Sequence, residues 1–169
     1  MAKRWLSFIG ITVAAWAVMV LAHEIGHILV GWIGGGKLVR ADLRPWALPH
    51  SLFAPDPFPL ATLWGGPILG VAIPVALALA ISRRWAWFIA DFCLIANGSY
   101  LALAGWSGEP HLDTPRLIAT GAAWWQIVLY CLVTIPLGYV RFRTRCAQWL
   151  EGSGGVQKDI TKEGIPCDS

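Results

Sequence analysis

Four stretches of this sequence are each long enough and apolar enough to cross a lipid bilayer as an α-helix. About 20 apolar residues span the ~30 Å hydrocarbon core. Of the 169 residues, 56% are hydrophobic and only 14% are charged, which is unlike a soluble domain. The sequence therefore predicts an all-α integral membrane protein, a bundle of about four transmembrane helices. The expected spans are Trp5 to Ala22 continuing to Ile33, Leu60 to Ser82, Trp85 to Trp106, and Leu117 to Val140.

The connector between the first two spans cannot be helical throughout. Lys37 to Pro59 follows three consecutive glycines and contains five prolines, which remove backbone donors and break helices. At membrane depth, irregular backbone must be covered by protein or reached by water. We therefore expect a re-entrant or extended connector that lies against the bundle.

The basic residues outside the spans predict the orientation of the chain. Because Lys and Arg are enriched in cytoplasmic loops, a cytoplasmic N-terminus and C-terminus fit the sequence best. The net charge of +3 follows from this topology and does not indicate nucleic-acid binding. We expect a membrane core at residues 1–140 and a flexible polar tail at 141–169. The basic residues on the expected inside are Lys3, Arg4, Arg83, Arg84, Arg141, Arg143 and Arg145, against Lys37, Arg40, Arg44 and Arg116 outside.

Three ionisable side chains, His23, Glu24 and His27, interrupt the first apolar stretch. Helical residues four apart stand one turn above each other, so the two histidines can bind one metal ion. Glu24 is rotated by ~100°, off the ligand face but within reach of a water on that ion. Ionisable residues at membrane depth usually face a cavity and have a function. The H-E-x-x-H spacing predicts a zinc peptidase site with a glutamate base; the competing interpretation is a helix-packing cluster.

A catalytic zinc of this type needs a third protein ligand. The first helix has risen about 27 Å by His23 at ~1.5 Å per residue, which places the motif toward the non-cytoplasmic side. The loop at 107–115 emerges on that same side. The candidates for the third ligand are His50, Asp91, Glu109, His111 and Asp113.

Two of these candidates are better explained by roles other than zinc binding. Asp91 enters the third span near the cytoplasmic side, and we expect it to pair with Arg83 or Arg84 in a structural role. His50 lies on the correct side, in the connector, but is interpreted as an exposed loop histidine.

Two features of the second and third spans have both a packing and a functional interpretation. In WGGPILG, Gly66 and Gly70 have the small-xxx-small spacing of closely packed membrane helices, and Pro67 interrupts the hydrogen-bond ladder. Asn97 could form an interhelical hydrogen bond, or it could orient a peptide carbonyl and stabilise an oxyanion.

These motifs resemble those of the site-2 proteases, a family of intramembrane zinc metalloproteases, of which this chain would be a minimal or divergent member. HEIGH at 23–27 is similar to the family's H-E-x-x-H, and GGP at 65–67 resembles the Gly-Pro element of its second core helix. PHLDTP at 110–115 resembles the third motif, whose aspartate is a zinc ligand. The resemblance implies a Zn²⁺ cofactor held by His23, His27 and Asp113, with His111 as the alternative third ligand. It also implies Glu24 as the catalytic residue. Asn97, Gly66 and Pro67 are the candidate substrate or oxyanion contacts.

The resemblance further implies an intramembrane zinc metalloendopeptidase whose partners are transmembrane protein substrates in the lipid bilayer. A helix hides its carbonyls, so a substrate must unwind locally, and we expect it to add as a strand beside the connector. The alternative is a non-catalytic membrane protein of the same fold that keeps the site for metal binding or sensing.

Overall fold

Five helices and one β-hairpin make up the described part of the chain. The computed structural model describes residues 2–47 and 49–151. Helices α1, α2, α3 and α5 are long and apolar enough to cross a membrane. The chain is thus a multi-pass membrane protein, and the predicted all-α bundle is confirmed. The elements are α1 Ala2–Ile33, β1 Leu38–Asp42, β2 His50–Phe53, α2 Pro59–Ile81, α3 Arg84–Ser107, α4 Asp113–Ala119 and α5 Trp124–Glu151.

The fourth predicted span begins at the wrong residue. Instead of one helix from Leu117, the chain forms the short helix α4, turns, and starts α5 at Trp124. Gly121 makes this turn with a φ of 108°, a conformation that residues with a Cβ rarely adopt. Because of this turn, α4 is a separate short helix and is not part of the fourth candidate membrane span.

Helix α5 also continues beyond the predicted core boundary at residue 140. Residues 141–151 are helical, so the expected flexible tail is corrected there, while 152–169 lie outside the described residues. The reason is a set of contacts with α3. The buried Asp91 carboxylate accepts hydrogen bonds from Arg141 Nε at 2.6 Å and Arg145 Nε at 3.4 Å, and the Phe142 ring centroid lies 5.0 Å from that of Phe88.

Asp91 forms ion pairs with Arg141 and Arg145 of α5, two arginines that the sequence did not indicate as its partners. A buried carboxylate requires such partners because an unpaired charge in an apolar interior is costly. The pairs attach the end of α5 to α3.

The predicted extended connector is confirmed as an antiparallel hairpin. Strand β1 pairs with β2 in a register that sets Asp42 opposite His50 and Ala41 opposite Ser51. The hairpin packs on the end of α1, where a Cβ at Gly31 would lie only 2.6 Å from the Phe53 ring. This contact positions β2 beside the histidine motif.

Helices α1 and α2 touch through their backbones. A Cβ at Gly26 would lie 2.3 Å from the carbonyl oxygen of Gly65, and a Cβ at Gly65 would lie 2.6 Å from that of Gly26. Only glycines allow so close an approach. The close packing expected of the WGGPILG stretch is present, and it brings α2 against the face of α1 that carries the histidines.

Candidate metal centre

Three side-chain atoms from two distant parts of the chain converge in the bundle. Helix α1 runs unbroken through the H-E-x-x-H motif, so His23 and His27 share one face. Their Nε2 atoms lie 3.1 Å apart. Asp113, the first residue of α4, places Oδ2 at 2.7 Å from His23 Nε2 and 3.4 Å from His27 Nε2. All three residues are buried.

The spacing of these atoms fits a tetrahedral zinc site. Zinc bonds of about 2.0–2.2 Å to His nitrogen and carboxylate oxygen imply ligand atoms roughly 3.3 Å apart. The observed distances of 2.7, 3.1 and 3.4 Å bracket that value. Two imidazoles and one carboxylate are also the ligand set typical of catalytic zinc.

The second ring nitrogen of each histidine has a partner that fixes its tautomer. His23 Nδ1 lies 2.8 Å from Asn97 Oδ1, and His27 Nδ1 lies 2.8 Å from the Thr62 carbonyl oxygen. Because both partners are acceptors, each Nδ1 carries the proton and donates it. The Nε2 lone pairs then remain directed at the cluster, which is the arrangement that metal-binding histidines require.

Asp113 is a carboxylate in this environment. Its Oδ2 lies 2.7 Å from His23 Nε2 and 3.4 Å from His27 Nε2, and with both ring protons on Nδ1 these three atoms are all electron-pair donors that a cation between them would bind. An ionised oxygen so close to two Nε2 atoms is suited to bind a cation.

Glu24 lies beside the cluster and is held by the hairpin. Its side chain is buried, and one carboxylate oxygen lies within 4.8 Å of ligand atoms on both His23 and His27. Oε2 accepts a hydrogen bond from Ser51 Oγ at 2.7 Å. Sequence reasoning missed Ser51, because no spacing rule connects a connector serine to a residue 27 positions earlier.

The other candidates for the third ligand lie outside this cluster. His111 and Glu109 are exposed, two and four residues before Asp113. His50 is not the exposed loop residue expected, since it begins β2 and is partly buried. His50 and His111 instead line the cavity in front of Glu24.

Asn97 does not have the position expected of an oxyanion stabiliser. Its side chain is fully buried, and besides His23 it bonds the carbonyls of Gly70 at 3.3 Å and Cys93 at 2.9 Å through Nδ2. Because both polar atoms are occupied, the amide is not available to a substrate. The alternative expectation, an interhelical hydrogen bond, fits the structure better. Asn97 on α3 accepts this bond from His23 on α1, a candidate metal ligand.

The two residues of the Gly-Pro element face different neighbours. A Cβ at Gly66 would lie 2.3 Å from His27 Nε2 and 2.8 Å from His23 Nε2, so the α2 backbone borders the ligand atoms. Pro67 is buried and its carbonyl accepts a hydrogen bond from Tyr130 at 2.7 Å. Pro67 therefore contacts α5, and the substrate contact expected of it stays a prediction.

Replacing Gly66 with Ala is expected to weaken metal binding by about 10- to 100-fold, the loss typical of disturbed support around a metal site. The new methyl group would overlap both imidazoles. Zinc affinity, measured by competition with a chromophoric chelator, tests this. Gly10→Ala is the matched control, because a Cβ there meets nothing within 4 Å. If the Gly66→Ala variant bound zinc as tightly as wild type, this would contradict the close approach of the α2 backbone to the two imidazoles.

A cavity of about 350 Å³ opens onto Glu24, His27 and Asp113. One wall is Pro49 to Leu52 of the hairpin, and the opposite wall is the 110–112 loop with Arg116 of α4. A second cavity, about 190 Å³ and largely apolar, reaches His23 and Glu24 from the side of Trp16 and Met19. The cluster is thus buried yet open to ligands on two sides.

No family model, curated protein or solved structure matches this chain. The interpretation of the site therefore depends on the chemistry and geometry of its own residues.

Proposed function

We propose that this chain is an intramembrane zinc metalloendopeptidase, similar to the site-2 proteases, that hydrolyses peptide bonds in or near transmembrane segments of membrane-anchored substrates. The observation that carries the proposal is the convergence of His23 Nε2, His27 Nε2 and Asp113 Oδ2 within 3.4 Å of one another. Glu24 lies next to them with its carboxylate held by Ser51. A cluster that only packed helices together would not need an acid in that position.

In this proposal His23, His27 and Asp113 hold the ion. Zinc bound there would polarise a water molecule and lower its pKa to about 7. Glu24 accepts a proton from the water as its oxygen attacks the peptide carbonyl carbon, and then donates that proton to the leaving amine nitrogen as the C–N bond breaks. Ser51 orients the carboxylate for both transfers.

Asn97 and Thr62 act as positioning residues. Each accepts the Nδ1 proton of one candidate ligand, at 2.8 Å in both cases. Such partners fix ring orientation and increase ligand basicity. The role proposed for Asn97 is therefore to hold His23, not to contact substrate.

Substrate is proposed to enter as an extended segment along β2. This strand supplies Ser51 to the general base and lines the cavity with His50 and Leu52. Strand addition uses backbone hydrogen bonds and is largely independent of side-chain sequence. It also exposes the carbonyls that a helical substrate would hide.

Both termini are proposed to be cytoplasmic, with the metal cluster toward the opposite side of the bilayer. Arg141, Arg143 and Arg145 follow the apolar part of α5 on the same side as Lys3 and Arg4, in agreement with the positive-inside tendency.

The test is hydrolysis by the purified protein. Wild type in lipid nanodiscs, incubated with peptides made from single-pass transmembrane segments, should yield internal cleavage products by mass spectrometry. Removal of zinc with 1,10-phenanthroline should abolish cleavage, because the water is then no longer activated, and one equivalent of zinc should restore it. Zinc-loaded protein that cleaves no peptide in the panel would favour the alternative of a metal-binding or sensing protein.

A further inference from the structure

Arg116 is a cationic side chain on the wall of two cavities that reach the candidate metal centre. It lies in the last turn of α4 and is partly buried. It lines the 350 Å³ cavity with Glu24, His27 and Asp113, and a third cavity, of about 260 Å³, with His27 and Asp56. Arg116 therefore borders the space next to His27 in both cavities.

The acids around Arg116 each contact other groups. Glu24 accepts a hydrogen bond from Ser51, and Asp113 lies against the two histidines. Asp56 accepts hydrogen bonds from Thr62 Oγ1 at 3.0 Å and from the Phe58 amide at 3.2 Å. Among the described residues, the ion pairs do not include Arg116 and its side chain has no hydrogen bond.

Three other arginines among the described residues form ion pairs. Arg44 forms an ion pair with Asp42, and Arg141 and Arg145 both pair with Asp91. The planar guanidinium presents paired N–H donors that match a carboxylate. In a cavity partly shielded from water, such a pair is stronger than the same pair on an open surface.

We propose that Arg116 binds a carboxylate of the peptide substrate, so that the site prefers peptides with an acidic side chain or a free C-terminal carboxylate near the bond to be cleaved. This rests on the proposed peptidase function for the identity of the ligand. The observations that carry it are the position of Arg116 on both cavities and the lack of an acidic partner for it within the described ranges. His111 on the same wall and His50 on the opposite wall add further hydrogen-bonding groups.

The experiment compares three peptides that differ only in the carboxylate. Acetyl-Leu-Glu-Leu-amide, acetyl-Leu-Gln-Leu-amide and acetyl-Leu-Gln-Leu with a free C-terminus are titrated calorimetrically into the full chain in phosphatidylcholine nanodiscs. At least one charged peptide should bind about tenfold more tightly than the neutral one, the effect of one charge-assisted hydrogen-bonded pair. Which of the two is preferred distinguishes a side-chain carboxylate from a terminal one.

The variant Arg116→Gln should reduce this preference to about twofold or less, since the neutral amide cannot form the charged pair. Arg143→Gln removes an exposed arginine of α5 and is the matched control, which should keep the preference. The inference is overturned by an unchanged preference in Arg116→Gln, or by no preference or no binding of the charged peptides in wild type.

Zinc content of the same preparations separates this inference from the proposed function. Protein without zinc would contradict the peptidase proposal, whereas the difference between wild type and Arg116→Gln would still decide the role of the arginine. Conversely, zinc-loaded protein that shows no preference for a carboxylate would contradict the role of Arg116 but not the peptidase proposal.

Discussion

Replacement of Glu24 with Gln is expected to lower the rate of peptide hydrolysis by about 10²- to 10⁴-fold, the usual contribution of a general acid–base group. Glutamine has nearly the same shape and can still accept the hydrogen bond from Ser51 Oγ, which lies at 2.7 Å from Glu24 Oε2. It cannot take a proton from water. Turnover of a cleaved transmembrane peptide, measured together with zinc content, tests this, and zinc binding should be unchanged because Glu24 is not one of the proposed ligands.

The matched control is Glu109→Gln, which removes an exposed carboxylate from the loop before α4 and should leave turnover unchanged. Activity that persists in the Glu24→Gln variant would end the proposed mechanism. A loss of zinc together with activity would instead assign Glu24 to the ligand set, which its proximity to both histidines permits geometrically.

Replacement of Asp113 with Ala is expected to lower zinc affinity by more than about 100-fold. The loss should exceed that seen when only a hydrogen-bond partner of a metal ligand is removed, because here a ligand itself is removed. The variant removes the oxygen that lies 2.7 Å from His23 Nε2 and leaves only two protein ligands. His23→Ala should have an effect of the same size. Zinc affinity by chelator competition, with helical content checked by circular dichroism, is the measurement.

His111→Ala is the control for Asp113→Ala, since it removes an exposed side chain of the same loop. It should bind zinc as wild type does. If zinc were lost in His111→Ala but retained in Asp113→Ala, the third ligand would be two residues earlier than proposed, and the α4 segment would have to shift when the metal binds.

The parts of the fold that depend on local sequence could be predicted. Spans two and three were expected at Leu60 to Ser82 and Trp85 to Trp106, and the helices run Pro59–Ile81 and Arg84–Ser107, because apolar runs and their polar flanks define membrane helices. The common face of His23 and His27 follows from helical periodicity alone. Asp113 was indicated by the resemblance of PHLDTP to a known motif.

The parts that depend on contacts between distant residues could not be predicted. The pairing of Asp91 with Arg141 and Arg145 depends on how far α5 extends along α3, which hydropathy does not report. The contact of Ser51 with Glu24 requires the hairpin register and its docking on Gly31. The separation of α4 from α5 depends on one glycine turn within an otherwise continuous apolar stretch.

The measurement that tests the central claim most directly is the metal content of the full-length wild-type protein, purified in detergent and analysed by inductively coupled plasma mass spectrometry. With His23, His27 and Asp113 as ligands, the protein should contain close to one zinc per chain, bound tightly enough to survive dialysis. Protein that contains no zinc, and takes up none when zinc is supplied before dialysis, would contradict the account.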